Sequence, residues 1–129
     1  MPSGADYEGD DFYCDVALRN TAALDVVHDG GNVLAYHHTR PHWPVHIVVV
    51  PKVHVPSLTD LTGADEDVLR ELLAVVCEVA AGVESAHGAA AVLTNLGRYQ
   101  DSKHLHVHVS SGEPLGRDRD SSAEQETDT

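Results

Sequence analysis

The sequence predicts an α+β fold: an antiparallel sheet of about five strands carrying one long helix, with a short helix at the N-terminal end. Three observations support this reading. Short β-branched runs are separated by turn-forming residues, as strands are. One longer stretch repeats its apolar residues at helical spacing. No internal repeat, Pro-rich linker or low-complexity tract divides these segments, so they form one unit.

Residues 12–19 read as the short N-terminal helix. Residues 23–28 and 33–37 read as strands joined through Asp29-Gly30-Gly31-Asn32, a hairpin-forming sequence. His46-Ile47-Val48-Val49-Val50 is continuous and β-branched, as a central strand is, and Pro51 ends it because proline has no N–H to donate. The helix follows, with Val68, Leu72, Val75, Val76, Val79 and Val83 on one face. Asp65, Glu66 and Asp67 complement the positive end of its dipole, Thr62 is the expected cap, and Gly88 closes it. Cys77 is expected to face the core from this helix. Residues 89–95 and 104–109 read as two further strands. Residues 1–11 and 111–129 are polar, acidic and aperiodic, and read as flexible tails around a domain of residues 12–110.

The 129 residues suffice for a single domain with one core. A net charge of -13 argues against a nucleic-acid partner, because such proteins cluster Lys and Arg against the phosphate backbone. A small anionic ligand is still compatible, since imidazoles and backbone N–H groups can hold a phosphate locally. No apolar run approaches the roughly 18 residues of a membrane span, and Met1-Pro2-Ser3-Gly4 does not resemble a secretory signal, so a cytoplasmic protein is expected. Cys14 and Cys77 do not make a disulfide scaffold.

The chemistry is concentrated in His104-Leu105-His106-Val107-His108. On a strand, alternation puts His104, His106 and His108 on one face and Leu105, Val107 and Val109 on the other. The apolar face can be buried while the histidine face acts. Three readings are open at this point. The face can be merely solvent-exposed, it can contribute ligands to a metal site as His-x-His strands do in zinc enzymes, or it can perform nucleophilic and acid–base chemistry.

The run Gln100-Asp101-Ser102-Lys103-His104-Leu105-His106-Val107-His108-Val109 resembles the histidine triad motif of the HIT family. A second block, Pro41-His42-Trp43-Pro44-Val45-His46 through Pro51-Lys52-Val53-His54, resembles the family's upstream strand and the turn after it. Phe12-Tyr13-Cys14 and Leu34-Ala35-Tyr36-His37 resemble the segments before these blocks. The likeness is closest to the branch of histidine triad nucleotide-binding proteins. Those are small homodimers that hydrolyse nucleoside phosphoramidates and aminoacyl adenylates.

The resemblance implies that His106 is the nucleophile, attacking the α-phosphorus of a purine nucleotide, an AMP derivative, to form a nucleotidyl-histidine that water then cleaves. His108 and His46 would bind phosphoryl oxygens or move protons. Asn95 and Gln100 would stand by the phosphate, His104 would shape the pocket wall, and Phe12, Leu34 and Tyr36 would line the base and ribose pocket. No cofactor and no metal are implied. Two positions depart from the pattern. Asp101 stands where the family usually has a Ser or Thr that assists the leaving group. His38 stands where an acidic residue holds the ribose hydroxyls. These departures keep two alternatives open, a dinucleoside polyphosphate hydrolase and a nucleotide-binding module with little turnover. A metal-dependent hydrolase is a third. His28, His42 and His87 are assigned no role.

Overall fold

The computed structural model describes residues 24–115. The expected N-terminal helix at residues 12–19, the N-terminal tail, Phe12 and residues 116–129 lie outside the described residues, whereas the expected C-terminal tail begins inside them as ordered chain, with Ser111 paired to Val45 and the Leu115 N–H donating to the His42 carbonyl at 2.8 Å. A five-stranded antiparallel sheet carries one long helix. The strands are β1 (Val26–Asp29), β2 (Val33–His37), β3 (Val45–Pro51), β4 (Ala91–Leu93) and β5 (Val107–Ser111), and helix α1 spans Glu66–His87 between β3 and β4. Their order across the sheet is β1-β2-β3-β5-β4.

The β1–β2 hairpin turns at Gly30 and Gly31, closed by a bond from the Gly30 N–H to the Val33 carbonyl at 2.9 Å; neither glycine has a positive φ, but a Cβ on Gly30 would collide with the Glu71 carboxylate. Helix α1 pins the turn, since Glu71 accepts from both the backbone N–H and the side-chain amide of Asn32, at 3.2 and 3.0 Å. β3 runs one residue further than expected at its C-terminal end. Pro51 pairs in register with Val33 and terminates the strand from within it.

The helix cap differs from the expected one. Asp65, not Thr62, is the N-cap, and its carboxylate accepts from the Val68 N–H at 2.9 Å. The Thr62 hydroxyl donates instead to Asp60, at 2.6 Å, within the preceding turn. At the other end Gly88 adopts φ 89°, the left-handed conformation that suits glycine, and its N–H reaches the Glu84 carbonyl at 2.8 Å.

Alternation along the strands divides the sheet into two chemical faces. Val33, Ala35, Ile47, Val49, Leu105 and Val109 pack against Leu72, Val75, Val79 and Val83 of α1. Burying each of the valines, leucines and isoleucine among them favours folding by about 1.5–3 kcal/mol. Cys77 is exposed, contrary to expectation, because the helix turns Val75 and Val79 inward and leaves position 77 outside that stripe. The opposite face carries a second cluster, Leu34, Tyr36, Val48 and Val50. His46 and His108 continue this second face, since they alternate in step with Val48 on β3 and pair across to it from β5. Among the described residues no helix is long and apolar enough to cross a membrane.

Candidate active site

The triad segment is extended, but only part of it is strand. β5 begins at Val107, three residues later than expected, because the backbone before it bonds elsewhere. The Leu105 N–H donates to the Val55 carbonyl at 2.6 Å, and the His106 carbonyl accepts from the Thr94 hydroxyl at 2.8 Å. These bonds hold His104 and His106 at the mouth of the strand. Leu105 is 1% exposed in the helix-side core, so burial anchors the segment between its two histidines.

Each triad ring is tied by a specific bond. His104 is fully buried and its Nε2 lies 2.7 Å from the Pro51 carbonyl, which makes it a brace between the triad segment and the end of β3. His106 Nδ1 lies 2.7 Å from the His104 carbonyl. A carbonyl only accepts, so His106 Nδ1 carries the proton, and in the neutral ring the lone pair resides on Nε2. His46 and His108 meet at 2.8 Å between Nε2 of the former and Nδ1 of the latter. The His42 backbone N–H donates to His46 Nδ1 at 3.0 Å, which assigns the proton of the neutral His46 ring to Nε2. His46 Nε2–H therefore donates to His108 Nδ1, and the neutral His108 ring carries its own proton on Nε2. That buried Nε2 has no hydrogen-bond partner among the described residues.

The rings form one contiguous array. His106 and His108 stand edge to face with centroids 5.0 Å apart, and His46 lies 5.0 Å from His108. His38 stacks on His46 at 4.3 Å, and Trp43 approaches His46 edge-on at 4.9 Å. Burial, reinforced by the neighbouring imidazoles, lowers the proton affinity of His46 to a pKa of about 3 and of His108 to about 2. Burial and then His42 lower that of His38 to about 4. At neutral pH these three rings are uncharged.

Among the other expected site residues, Asn95 and Gln100 are buried beside the triad segment. The Gln100 side-chain amide donates to the Pro56 carbonyl at 2.8 Å. Leu34 and Tyr36 are buried on the histidine face of the sheet, though in a cluster with Val48 and Val50. Asp101 is exposed. Lys103, a candidate partner for that carboxylate, donates to the carbonyls of Gly97 and Gln100, at 3.0 and 2.8 Å. A separate concavity lies on the helix side of the sheet, lined by Val27, Val45, Ile47, Val79 and Val83, away from the triad.

Two contributors escaped the sequence reading. His42 was assigned no role, yet its backbone orients His46. Its place between Pro41 and Pro44, in a tight loop directly before His46, is a signal that could have marked it. Thr94 holds the His106 carbonyl, and nothing in its local sequence announces that. Ligand nitrogens of His38, His46 and His108 lie within 4.8 Å of one another, close enough to suggest a shared cation.

An α+β sheet that brings the central triad histidine to the mouth of β5, beside a buried His46–His108 pair, has the architecture of a histidine triad protein. Residues 19–115 match the HIT domain model, and the chain belongs to that family. It is similar to the purine nucleoside phosphoramidase of Escherichia coli K12, 27% identical over 101 residues that cover 77% of this chain and 85% of the relative. An uncharacterized HIT-like protein of Azospirillum brasilense is 34% identical over 102 residues, covering 77% of this chain and 84% of that one. The solved structure of a histidine triad protein from Clostridium difficile superposes with a TM-score of 0.65 at 28% identity, covering 92% of this chain and 99% of the other.

Proposed function

We propose that this chain is a nucleotide hydrolase that acts at the α-phosphorus of nucleoside phosphoramidates or adenylates through a nucleotidyl-histidine intermediate. The observation that carries the reading is the bond between His106 Nδ1 and the His104 carbonyl, which leaves the nucleophilic lone pair on His106 Nε2. The relation to a bacterial purine nucleoside phosphoramidase supports the substrate class.

In the first step His106 Nε2 attacks phosphorus. A P–N bond to the imidazole forms as the bond to the leaving amine or carboxylate breaks; an amine leaves with a proton taken from solvent, and a carboxylate leaves as the anion. In the second step water attacks the same phosphorus, the bond to His106 breaks, and a nucleoside monophosphate departs. One hard displacement becomes two easier ones. His108 donates from Nε2 to a phosphoryl oxygen, held in that tautomer by His46, and so stabilises charge that develops on phosphorus. Asn95 and Gln100 border the phosphate, and Leu34 and Tyr36, buried with Val48 and Val50, form the apolar floor beneath the nucleoside. The reaction needs no metal or other cofactor.

The working unit of this proposal is the domain of residues 12–110, acting in the cytoplasm as a homodimer. The outer strand β4 supports the dimer, since Val92 and Leu93 are exposed along its length. The carboxylate of Asp101 favours the second reading, a binding module with little turnover, because an ionised carboxylate cannot donate to a leaving group.

The test is the initial rate of AMP release from adenosine phosphoramidate, with chelator present, by wild type and by His106→Ala. Chelator-resistant release that disappears in the variant supports covalent histidine catalysis. Equal rates in both proteins remove His106 from the mechanism, and tight AMP binding without release favours the module.

A further inference from the structure

The spacing of His38, His46 and His108 resembles a cation site, but their hydrogen bonds point the other way. The Arg40 backbone N–H donates to His38 Nδ1 at 2.9 Å, and the His42 backbone N–H donates to His46 Nδ1 at 3.0 Å. A ring nitrogen that accepts from an amide bears no proton, so each of these neutral rings is protonated on Nε2. To bind a cation through Nε2, either ring would have to move that proton to Nδ1 and set it against a backbone donor. Each such ligand would cost a hydrogen bond and leave two donors facing one another. His46 passes the same tautomer on to His108 through their shared bond. His108 Nε2–H is 1% exposed as a residue and has no hydrogen-bond partner among the described residues, as a donor waiting for an acceptor would be.

We propose that His38 and His108 form a clamp of two neutral imidazole N–H donors, so that this cluster binds a phosphate-type oxyanion rather than a divalent cation and His38 contacts the ligand directly. His38 is half-buried and stacked on His46, which fixes its ring plane, while the bond from Arg40 fixes its tautomer. A residue held this way cannot accept from a ligand hydroxyl at Nε2. It selects an acceptor there, which an acidic side chain in the same place would repel. The proposal rests on the hydrolase reading only in taking the anion to be a nucleotide phosphate, and it concerns binding, not turnover.

The test is calorimetry on the full chain with AMP, inorganic phosphate, adenosine and Zn²⁺ as separate probes. Wild type is compared with His38→Ala, His38→Asp and His38→Asn, the last of which keeps an N–H donor. Phosphate and AMP are expected to bind about tenfold more weakly to the Ala variant, as loss of one good hydrogen bond implies. They should bind more weakly still to the Asp variant and nearly normally to the Asn variant. Adenosine, which lacks the anion, should be unaffected by the Ala and Asn variants, which a merely structural role for His38 would not allow. Unchanged AMP affinity in His38→Ala overturns the clamp, as does equal weakening of adenosine. Stoichiometric Zn²⁺ binding that His38→Ala abolishes also overturns it. AMP affinities that follow this pattern without cleavage of adenosine phosphoramidate would sink the hydrolase reading and leave the clamp standing.

Discussion

His46 and His108 are diagonal neighbours on adjacent strands, and their rings join at 2.8 Å across the sheet. In register His46 faces Ser110 and His108 faces Val48, so the bond joins residues two register positions apart. Both residues are almost fully enclosed, at 2% and 1% exposure. A charge on either would lack water, and each neighbouring imidazole would add repulsion.

Acid should therefore destabilise the protein through this pair. Folding lowers the proton affinities of His46 and His108 from 6.5 to about 3 and about 2. Below pH 6.5 the unfolded chain takes up these protons while the folded chain does not, so stability falls as pH falls towards the folded values. One to two such protons give a slope of about 1.4–2.7 kcal/mol per pH unit in the steep part of that window. Urea denaturation between pH 6.5 and 5 should show a smaller loss in His108→Gln than in wild type. Equal slopes in the two proteins would refute the assignment.

Helix α1 should depend on Asp65 and hardly on Thr62. Asp65 accepts from the Val68 N–H, whereas Thr62 bonds within its own turn. Asp65→Ala should cost about 1 kcal/mol of stability, and Thr62→Ala less than about 0.5 kcal/mol. Thermal or chemical denaturation of the two variants checks this ordering, and a reversed order would move the cap.

Leu105 joins the core to the site. Its side chain packs on the helix side of the sheet while its neighbours His104 and His106 are held by bonds at 2.7 Å. Leu105→Ala should lower stability by about 2–5 kcal/mol, the range for a buried leucine that leaves a cavity. A loss below about 1 kcal/mol in a urea titration would show that the segment is anchored by its hydrogen bonds instead.

The parts of this protein legible in the sequence are those governed by local periodicity. Val68, Leu72, Val75, Val79 and Val83 mark the buried face of α1, and β2 occupies its expected residues. The β-branched run from Ile47 to Val50 gives β3, and the two motif blocks give the family. What was not legible depends on bonds between distant segments. Leu105 leaves the ladder to meet Val55, which delays β5. Asp65 outcompetes Thr62 because it stands one residue before the first helical turn. The imidazole array depends on how the loop before β3 folds back, since residues 38, 42 and 46 converge only when Arg40 and His42 present their amides to rings on either side. Alternation alone could place His46 and His108 on one face, but not fix which nitrogen of each carries a proton.

Asp101 stands where the family usually has a hydroxyl residue that assists the leaving group. The side chain is exposed at the entrance to the triad segment. Lys103, two residues along the chain, directs its ammonium to the carbonyls of Gly97 and Gln100. An ionised carboxylate there donates nothing and opposes an incoming phosphate. Under the proposed mechanism, Asp101→Ser should raise kcat for adenosine phosphoramidate by about tenfold or more, within the range of positioned proton donors. Asp101→Asn removes the charge and supplies an amide donor in place of the hydroxyl, so it should fall between wild type and the Ser variant. Steady-state kinetics of the three proteins at one pH decide the matter. If Asp101→Ser is no faster than wild type, leaving-group assistance comes from another group and Asp101 is a surface residue. If both variants accelerate equally, the charge alone limits the native enzyme, and repulsion of the phosphate outweighs the missing hydroxyl.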